Sequence, residues 1–317
     1  MTYEGVLPVN KPAGFTSHDV VAKVRRLIRM KRIGHAGTLD PQVTGVLPLC
    51  LGRATRIVEY LQEMPKQYEA EMTIGYATDT EDWTGAVTER LKPELVAVSE
   101  ADVRQALARF QGEVEQIPPM YSAVKVGGKK LYELAREGKE IERKARRVTI
   151  YRTELLDFGR HDGYPRVRFR VDCSKGTYIR TLCADLGKSL GFPAVMTDLR
   201  RTSTGSIGLE SCLGLDEVEK LAGEGRLSEY LIPLDRAIAH LPAFTVSQRA
   251  AEHAVQGKPV YWKAADRMPS QAEQIVRLYA PDGLFLGIFQ TDRENECFRP
   301  EKVFAGAGGG HKGQERT

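Results

Sequence analysis

Long hydrophobic runs, cysteine pairs and secretion signals are absent from this 317-residue sequence. No apolar stretch approaches the ~18–20 residues that a membrane helix needs, and the N-terminal MTYEGVLPVNKPAG lacks the basic and apolar regions of a signal peptide. The five cysteines include no CxxC pair, which argues against a disulfide framework or a zinc site. We therefore expect a cytoplasmic protein with reduced thiols and no membrane association.

Motifs for nucleotide and metal chemistry are also missing. Gly187–Lys188–Ser189 resembles the end of a phosphate-binding loop, but Leu182 stands where that loop requires glycine. No GxGxxG links a predicted strand to a predicted helix, HExxH is absent, and the histidines show no ligand spacing. We therefore expect no metal and no cofactor, so that side chains alone carry out any reaction.

Positive charge is concentrated in two short segments, although the net charge of the chain is only +4. Six basic residues and no acidic residue lie between Val20 and His35. Residues 121–152 contain ten Lys or Arg against four Glu, a local excess larger than that of the whole chain. Such clusters indicate a polyanionic partner, with two solvated surface faces as the alternative.

Hydrophobic periodicity predicts a mixture of helices and strands. Apolar residues recur with helical spacing from Ser17, a candidate N-cap, to Met30, which leaves Arg25, Arg26 and Arg29 on the opposite face. Alternation and spacing predict further elements, namely strands at 67–76 and 166–172, a helix at 101–111, and a helix that follows Gly176 and ends near Gly191. Because these elements do not repeat as βαβ units, the predicted fold class is α+β.

Composition also divides the chain into regions. The basic segment 121–152 has few core residues and several glycines, which predicts an insertion that lies over the core rather than within it. After Leu241–Pro242, short strand-like runs broken by Gly, Pro and Asp predict a small β-domain at 242–306. The glycine-rich end, residues 307–317, predicts a disordered tail.

A lone carboxylate, Asp40, follows the glycine-rich segment GHAGTL in a stretch that is almost free of charge from Gly34 to Gly52. An Asp before Pro is commonly a turn or cap residue. Here the glycines allow a ligand to approach the backbone closely, and the apolar VLPLCLG that follows can seat the loop against the core. A carboxylate held in this way can act as a nucleophile or a proton carrier.

Five longer motifs occur in a fixed order along the chain: NKPAGFTSHDVVAKVRR, GHAGTLDPQVTGVLPLCLGRATR, KQYEA, IPPMYSAVKVGGKKLYELAREG and CSKGTYIRTLCADLG. They resemble the motifs of the bacterial TruB-type tRNA pseudouridine synthases over nearly the whole chain. The resemblance implies a mixed, largely antiparallel sheet flanked by helices in a catalytic domain at 1–241, with a thumb-like insertion at about 121–152. A weaker resemblance implies a PUA-like RNA-binding domain at 242–306.

The same resemblance implies a reaction and its catalytic residues. Uridine would be isomerised to pseudouridine at position 55, in the TΨC arm of tRNA, without a cofactor. Asp40 would act as nucleophile, or as base and ion stabiliser, and Arg180 would pair with it. Tyr68 would stack on the target base and take part in proton transfer.

A second set of residues is implied to bind the substrate. His35 would fill the vacancy that the flipped nucleotide leaves in the base stack, and Tyr178 and Leu199 would line the pocket. The remaining members of the implied set are basic: Lys11, Lys129, Lys130 and Arg146. Phosphate contacts of this kind make affinity depend on salt concentration.

The expected partner is therefore tRNA, bound by a monomer that uses no guide RNA. Two alternatives remain open. The protein could bind and fold tRNA as a chaperone without modifying it. It could also be a synthase within a guide-RNA complex, as the related archaeal and eukaryotic enzymes are, although the long insertion favours the stand-alone form.

Overall fold

The computed structural model describes residues 3–122, 124–139 and 141–304. The chain divides into a larger unit, formed by Leu7–Leu49 and Val58–Tyr230, and a smaller unit, formed by Met1–Val6, Cys50–Ile57 and Leu231–Thr317. The tail predicted at 307–317 lies outside the described residues. None of the described helices is long and apolar enough to cross a membrane.

Strands and α-helices are interspersed along the described residues. The strands are β1 Gly5–Lys11, β2 Ile33–His35, β3 Thr44–Leu51, β4 Lys66–Ile74, β5 Tyr76–Thr78, β6 Val87–Arg90, β7 Gly112–Gln116, β8 Lys125–Val126, β9 Lys129–Lys130, β10 Arg146–His161, β11 Tyr164–Cys173, β12 Ala194–Thr204, β13 Ile207–Gly208, β14 Ala243–Thr245, β15 Val260–Tyr261, β16 Ile275–Tyr279, β17 Phe285–Asp292 and β18 Cys297–Val303. The α-helices are α1 Ser17–Leu27, α2 Val58–Glu63, α3 Glu100–Arg109, α4 Leu131–Arg136, α5 Ile179–Ser189, α6 Leu215–Gly223, α7 Leu234–Ala237 and α8 Gln248–Val255.

One mixed sheet organises the larger unit. Its strand order is β1-β3-β12-β4-β11-β10-β7, with β2 beside β3 and β13 beside β12. The pairs from β12 through β4, β11 and β10 to β7 are antiparallel, whereas β12 and β3 run parallel. Helices α3 and α5 pack on this sheet. The predicted α+β class and the predicted mixed, largely antiparallel sheet are confirmed.

The core of the larger unit follows the alternation seen in the sequence. Ala70 and Met72 of β4 are buried, as are Val167 and Phe169 of the neighbouring β11. Full burial of a Met, Val or Phe side chain stabilises a fold by roughly 1.5–3 kcal/mol. The predicted strand 67–76 is split, because β4 ends at Ile74 and Gly75 separates it from β5.

The N-cap of helix α1 lies one residue earlier than the sequence indicated. Thr16, not Ser17, is the N-cap, and it forms a capping box with Asp19. The helix ends at Leu27 instead of Met30, and Arg29 has a positive φ of 51°. Its two faces agree with the prediction, since Val20, Val21 and Val24 are buried while the arginines are exposed.

The basic segment 121–152 is only partly an insertion. Within it β8, β9 and α4 stand outside the main sheet, as predicted. Its last residues belong to β10, where Val148 and Ile150 are buried and pair with β7. The expectation that the whole segment stays off the core is therefore wrong after residue 145, because hydrogen bonds to β7 and β11 draw β10 into the sheet.

The smaller unit contains a second sheet, with the order β14-β16-β17-β18-β15. Phe244, Phe289 and Phe298 form the centre of its core. The unit begins before the boundary expected at 242, because the buried Arg277 donates hydrogen bonds to the carbonyls of residues 235, 239 and 241. Its assignment as PUA-like stays a prediction.

Candidate active site

The loop that carries Asp40 is fixed by hydrogen bonds at both of its ends. On one side the backbone N–H of Ala36 donates to the Pro48 carbonyl at 2.9 Å. On the other side the backbone N–H of Leu39 donates to the buried hydroxyl of Ser17 at 2.9 Å. The residue expected to cap α1 therefore positions the residue that precedes Asp40.

Lys11 is the buried anchor of this loop. Its Nζ donates to the carbonyls of Pro12 (2.9 Å), Phe15 (2.5 Å) and Pro41 (2.9 Å). Burial lowers the pKa of Lys11 to about 8, while the charge of Asp40 acts in the opposite direction. The side chain is fully buried and its three donors are used within the protein, which indicates a structural role. Direct contact of Lys11 with substrate stays a prediction.

Asp40 and Arg180 form an ion pair in the lining of a cavity. The distance from Arg180 Nη2 to Asp40 Oδ2 is 3.1 Å. The arginine side chain is only 6% exposed, whereas the aspartate side chain is 46% exposed. The guanidinium group also donates to the carbonyls of Thr80 and Tyr121, each at 2.9 Å. A fixed buried cation thus holds an accessible carboxylate.

A second carboxylate, Asp82, lies 3.6 Å from Arg180 Nη1. It belongs to a tight loop in which its Oδ1 accepts hydrogen bonds from the hydroxyls of Thr80 (2.9 Å) and Thr84 (2.5 Å). Glu81, the residue before it, has a positive φ of 63° and accepts a 2.7 Å hydrogen bond from Thr181. Burial raises the pKa of Glu81, and the Thr181 hydrogen bond opposes the rise.

The cavity has a volume of about 410 Å³, and its lining includes Asp40, Tyr68, Tyr178, Arg180, Leu199 and Arg201. Five of these six were expected at the site, and the fold brings them together from four separate segments. Tyr68 and Leu199 come from the adjacent strands β4 and β12, in which Leu199 is paired with Ala70. A single flipped base is small enough to enter a space of this size.

The two tyrosines of the cavity differ in how they are held. Burial raises the pKa of Tyr68, while the charge of Arg201 and a hydrogen bond from it act in the opposite direction. Tyr178 precedes α5, and the buried Gln116 fixes its backbone by accepting from its N–H (3.0 Å) and donating to its carbonyl (3.2 Å).

His35 lies beside the cavity rather than in its lining. Its Nδ1 is 3.1 Å from the Gly37 carbonyl, and Gly37 does line the cavity. The exposed ring of His18 meets the ring of His35 edge-on, with 5.2 Å between the centroids. Burial lowers the pKa of His35, and the neighbouring His18 adds to this effect.

The remaining basic residues of the implied set do not line the cavity. Lys129 is exposed and pairs with Glu137 at 2.9 Å, and Lys130 has its Nζ 5.3 Å from the centre of the Tyr132 ring. Arg146 is exposed at the start of β10, where it is paired with Gln116. Contact of these three residues with substrate stays a prediction.

Comparisons with known proteins identify the family of this chain. A family model described as "TruB family pseudouridylate synthase (N terminal domain)" matches residues 25–179. A second model, described as "tRNA pseudouridylate synthase B C-terminal domain", matches residues 180–239. The chain belongs to the TruB family. The resemblance drawn from the sequence motifs is thereby confirmed.

Named relatives and a solved structure are similar to this chain over most of its length. A Bacillus subtilis protein named tRNA pseudouridine synthase B is 50% identical over 94% of this chain and 97% of its own. Its Bacillus pumilus counterpart is 46% identical over 95% and 97%. The crystal structure of a Cbf5-Nop10-Gar1 complex is similar with a TM-score of 0.75, at 27% identity, over 94% of this chain and 84% of that one.

Three residues at or next to this cavity were missed by the sequence reasoning. Arg201 and Lys66 line the cavity and are buried, and Asp82 pairs with Arg180. The two-residue period of a strand places Arg201 on the same face as Leu199, so this arginine could have been found. Asp82 carries no comparable signal, because a loop brings it to the site.

Proposed function

We propose that this TruB-family protein isomerises uridine to pseudouridine at position 55 in the TΨC arm of tRNA, without a cofactor. The names of its relatives and the family models support uridine isomerisation in tRNA. One structural observation carries the catalytic assignment. The accessible carboxylate of Asp40 is held by the buried Arg180 in the lining of a cavity of base-like size.

The geometry suits a reaction at the bond between sugar and base. Arg180 binds Asp40 Oδ2, which leaves Oδ1 to act at the C1′ carbon or on a ribose proton. In either case the C1′–N1 bond breaks, the uracil turns, and a C5–C1′ bond forms while the C5 proton leaves and N1 gains a proton. A guanidinium fixed before the reaction needs no reorganisation during it.

Tyr68 and Leu199 would hold the base during this sequence. A phenol whose pKa is raised by burial keeps its proton at neutral pH, so Tyr68 can stack on uracil and donate a hydrogen bond. Leu199 offers an apolar wall on the neighbouring strand. His35, at the edge of the cavity, would occupy the space left in the RNA stack.

The RNA surface would extend beyond the cavity to the exposed arginines of α1 and to the basic segment around Lys129 and Lys130. We further propose that the protein acts as a monomer in the cytoplasm and without a guide RNA. The PUA-like assignment of residues 242–306 belongs to the same proposal, as a second contact with tRNA.

The decisive experiment replaces Asp40 by asparagine, which keeps the shape of the side chain and removes its charge. Tritium release from tRNA carrying [5-³H]uridine should be lost, while tRNA binding in a filter assay should persist. Asp198→Asn, an exposed aspartate on β12, is the matched control and should keep normal turnover. Near-normal turnover of Asp40→Asn would contradict the catalytic assignment. Replacing uridine 55 of the tRNA by cytidine tests the position of the reaction, because pseudouridine formation should then be lost.

A further inference from the structure

The cavity contains a buried arginine whose role the family motifs leave open. Arg201 is 2% exposed, and its Nε donates to the Val46 carbonyl at 2.7 Å. Within the described residues no carboxylate lies within 4.0 Å of it, and its buried Nη2 hydrogen-bonds to no protein atom. Burial of an unpaired charge and an unused donor costs stability, so such a group indicates a ligand.

Three strands fix the position of Arg201. In the sheet it is paired with Tyr68 of β4 on one side and with Gly45 of β3 on the other. Its guanidinium group lies against Gly37, where a Cβ would be only 3.3 Å from Nη1. The loop that leads to Asp40 and the strand that carries Tyr68 therefore both contact this side chain.

The charge of Arg201 is not balanced inside the cavity. The lining contains the four cations Lys66, Lys175, Arg180 and Arg201 but only the two carboxylates of Glu63 and Asp40. Both carboxylates are already engaged, Glu63 with Lys175 and Asp40 with Arg180. The surplus positive charge belongs to the two buried cations, Lys66 and Arg201, and it favours negative charge on whatever enters the cavity.

We infer that Arg201 binds the uracil while it is detached from the ribose, with Nη2 donating to a ring carbonyl oxygen. This inference rests on the proposed function. When the C1′–N1 bond breaks, the electron pair stays on N1 and the ring becomes an anion delocalised onto its carbonyl oxygens. The pair is used again when C5 attacks C1′, and the C5 proton then leaves. Arg201 stabilises the anion between these two steps.

The location of Arg201 favours the base over a phosphate group as its ligand. It is paired with the tyrosine that is expected to stack on the base, and it is almost completely buried. Lys175, by contrast, is exposed and lines the same cavity, as expected of a contact with the RNA backbone.

The test compares two leaving groups in Arg201→Met and Arg201→Lys. Single-turnover loss of the target nucleoside is measured with saturating enzyme on RNA that carries either uridine or 5-fluorouridine at the target. On uridine we expect Arg201→Met to be about a hundredfold to a thousandfold slower. On 5-fluorouridine the deficit should be at least tenfold smaller, because fluorine stabilises the ring anion without help from the protein. Arg201→Lys keeps the charge and should fall between Met and wild type.

Two controls make the outcome decisive. Arg200→Met changes the exposed neighbour on β12 and should leave the chemical step unchanged on both substrates. Equal deficits of Arg201→Met on the two substrates, or weaker RNA binding with a normal chemical step, would overturn the inference. If thermal melting shows that Arg201→Met does not fold, the comparison is made with Arg201→Lys. Its deficit must then be smaller on 5-fluorouridine than on uridine, and equal deficits would overturn the inference. A wild-type protein that forms no pseudouridine would refute the proposed function instead.

Discussion

The guanidinium group of Arg180 lies 3.1 Å from Asp40 Oδ2 and at the same time donates to two backbone carbonyls, those of Thr80 and Tyr121. The position of the carboxylate is thus tied to two loops that are distant from it in sequence. A guanidinium group presents its donors in a rigid planar fork that spans these partners, whereas an ammonium concentrates its three donors at a single point.

Arg180→Lys should therefore reduce the rate of pseudouridine formation by about a hundredfold or more, with a smaller effect on tRNA affinity. Single-turnover tritium release and filter binding separate the two quantities. The matched control is Arg104→Lys, in which an exposed arginine pairs with Glu100 at 2.6 Å on the surface of α3 and contributes little. A rate within about threefold of wild type for Arg180→Lys would contradict the positioning role.

Gly45→Ala should strongly destabilise the larger unit. Gly45 has a φ of +105°, and a Cβ there would lie 2.1 Å from the backbone oxygen of Arg201. The clash and the strained backbone together should lower the free energy of unfolding by about 3–4 kcal/mol. Gly14→Ala is the control for backbone strain alone, since φ is +82° and the Cβ meets open space, and it should cost ~1–2 kcal/mol. Urea denaturation followed by circular dichroism would measure both, and equal losses would contradict the close approach of β3 and β12.

Lys66 should make stability depend on pH above neutrality. Burial and the charge of Arg201 lower its pKa to about 8 in the folded state, from 10.5. Between these values the unfolded chain binds more protons than the folded protein, so the free energy of unfolding rises with pH, by at most ~1.4 kcal/mol per unit. In Lys66→Met this contribution is absent, so the stability of wild type relative to the variant should increase from pH 7.5 to 9.5. Plots of unfolding free energy against pH that stay parallel for wild type and Lys66→Met would contradict the prediction. The control Lys220→Met, at an exposed position, should give a plot parallel to that of wild type.

Lys129 and Lys130 should contribute to affinity rather than to chemistry. Replacing both by glutamine should flatten the dependence of log affinity on log salt by about 0.7–0.9 for each phosphate contact that is lost. Lys130 should account for the larger part, because Lys129 is partly neutralised by Glu137. Titrations at several salt concentrations measure the slope, with Lys220→Gln as control. An unchanged slope of log affinity against log salt would show that Lys129 and Lys130 do not contact the RNA phosphates.

His35→Ala should slow the step in which the target nucleotide leaves the RNA stack. Its ring stands beside the cavity, supported by His18 and by the Gly37 carbonyl. Stopped-flow fluorescence of an RNA with 2-aminopurine next to the target reports this step. His161→Ala changes an exposed histidine at the end of β10 and should behave as wild type. Identical traces for His35→Ala and wild type would count against the role.

The strands β4 and β11 and the helices α1, α3 and α5 could be predicted because each shows its own periodicity within about ten residues. Their ends were less predictable. The choice of Thr16 over Ser17 as N-cap depended on a partner elsewhere, since the Ser17 hydroxyl is occupied by Leu39. The start of β10 was hidden in a basic segment because its pairing partner, β7, lies some thirty residues earlier in the chain.

By itself the sequence determined the fold class, the membership in the TruB family and the presence of Asp40, Tyr68, Arg180 and Leu199 in one pocket. Local periodicity and motif order are sufficient for these conclusions. Only the tertiary structure decided that Lys11 is a buried anchor, that Asp82 reaches Arg180, and that Arg201 has a donor without a protein partner. These facts depend on long-range packing, because burial and hydrogen-bond satisfaction are properties of neighbours that the chain brings together only when it folds.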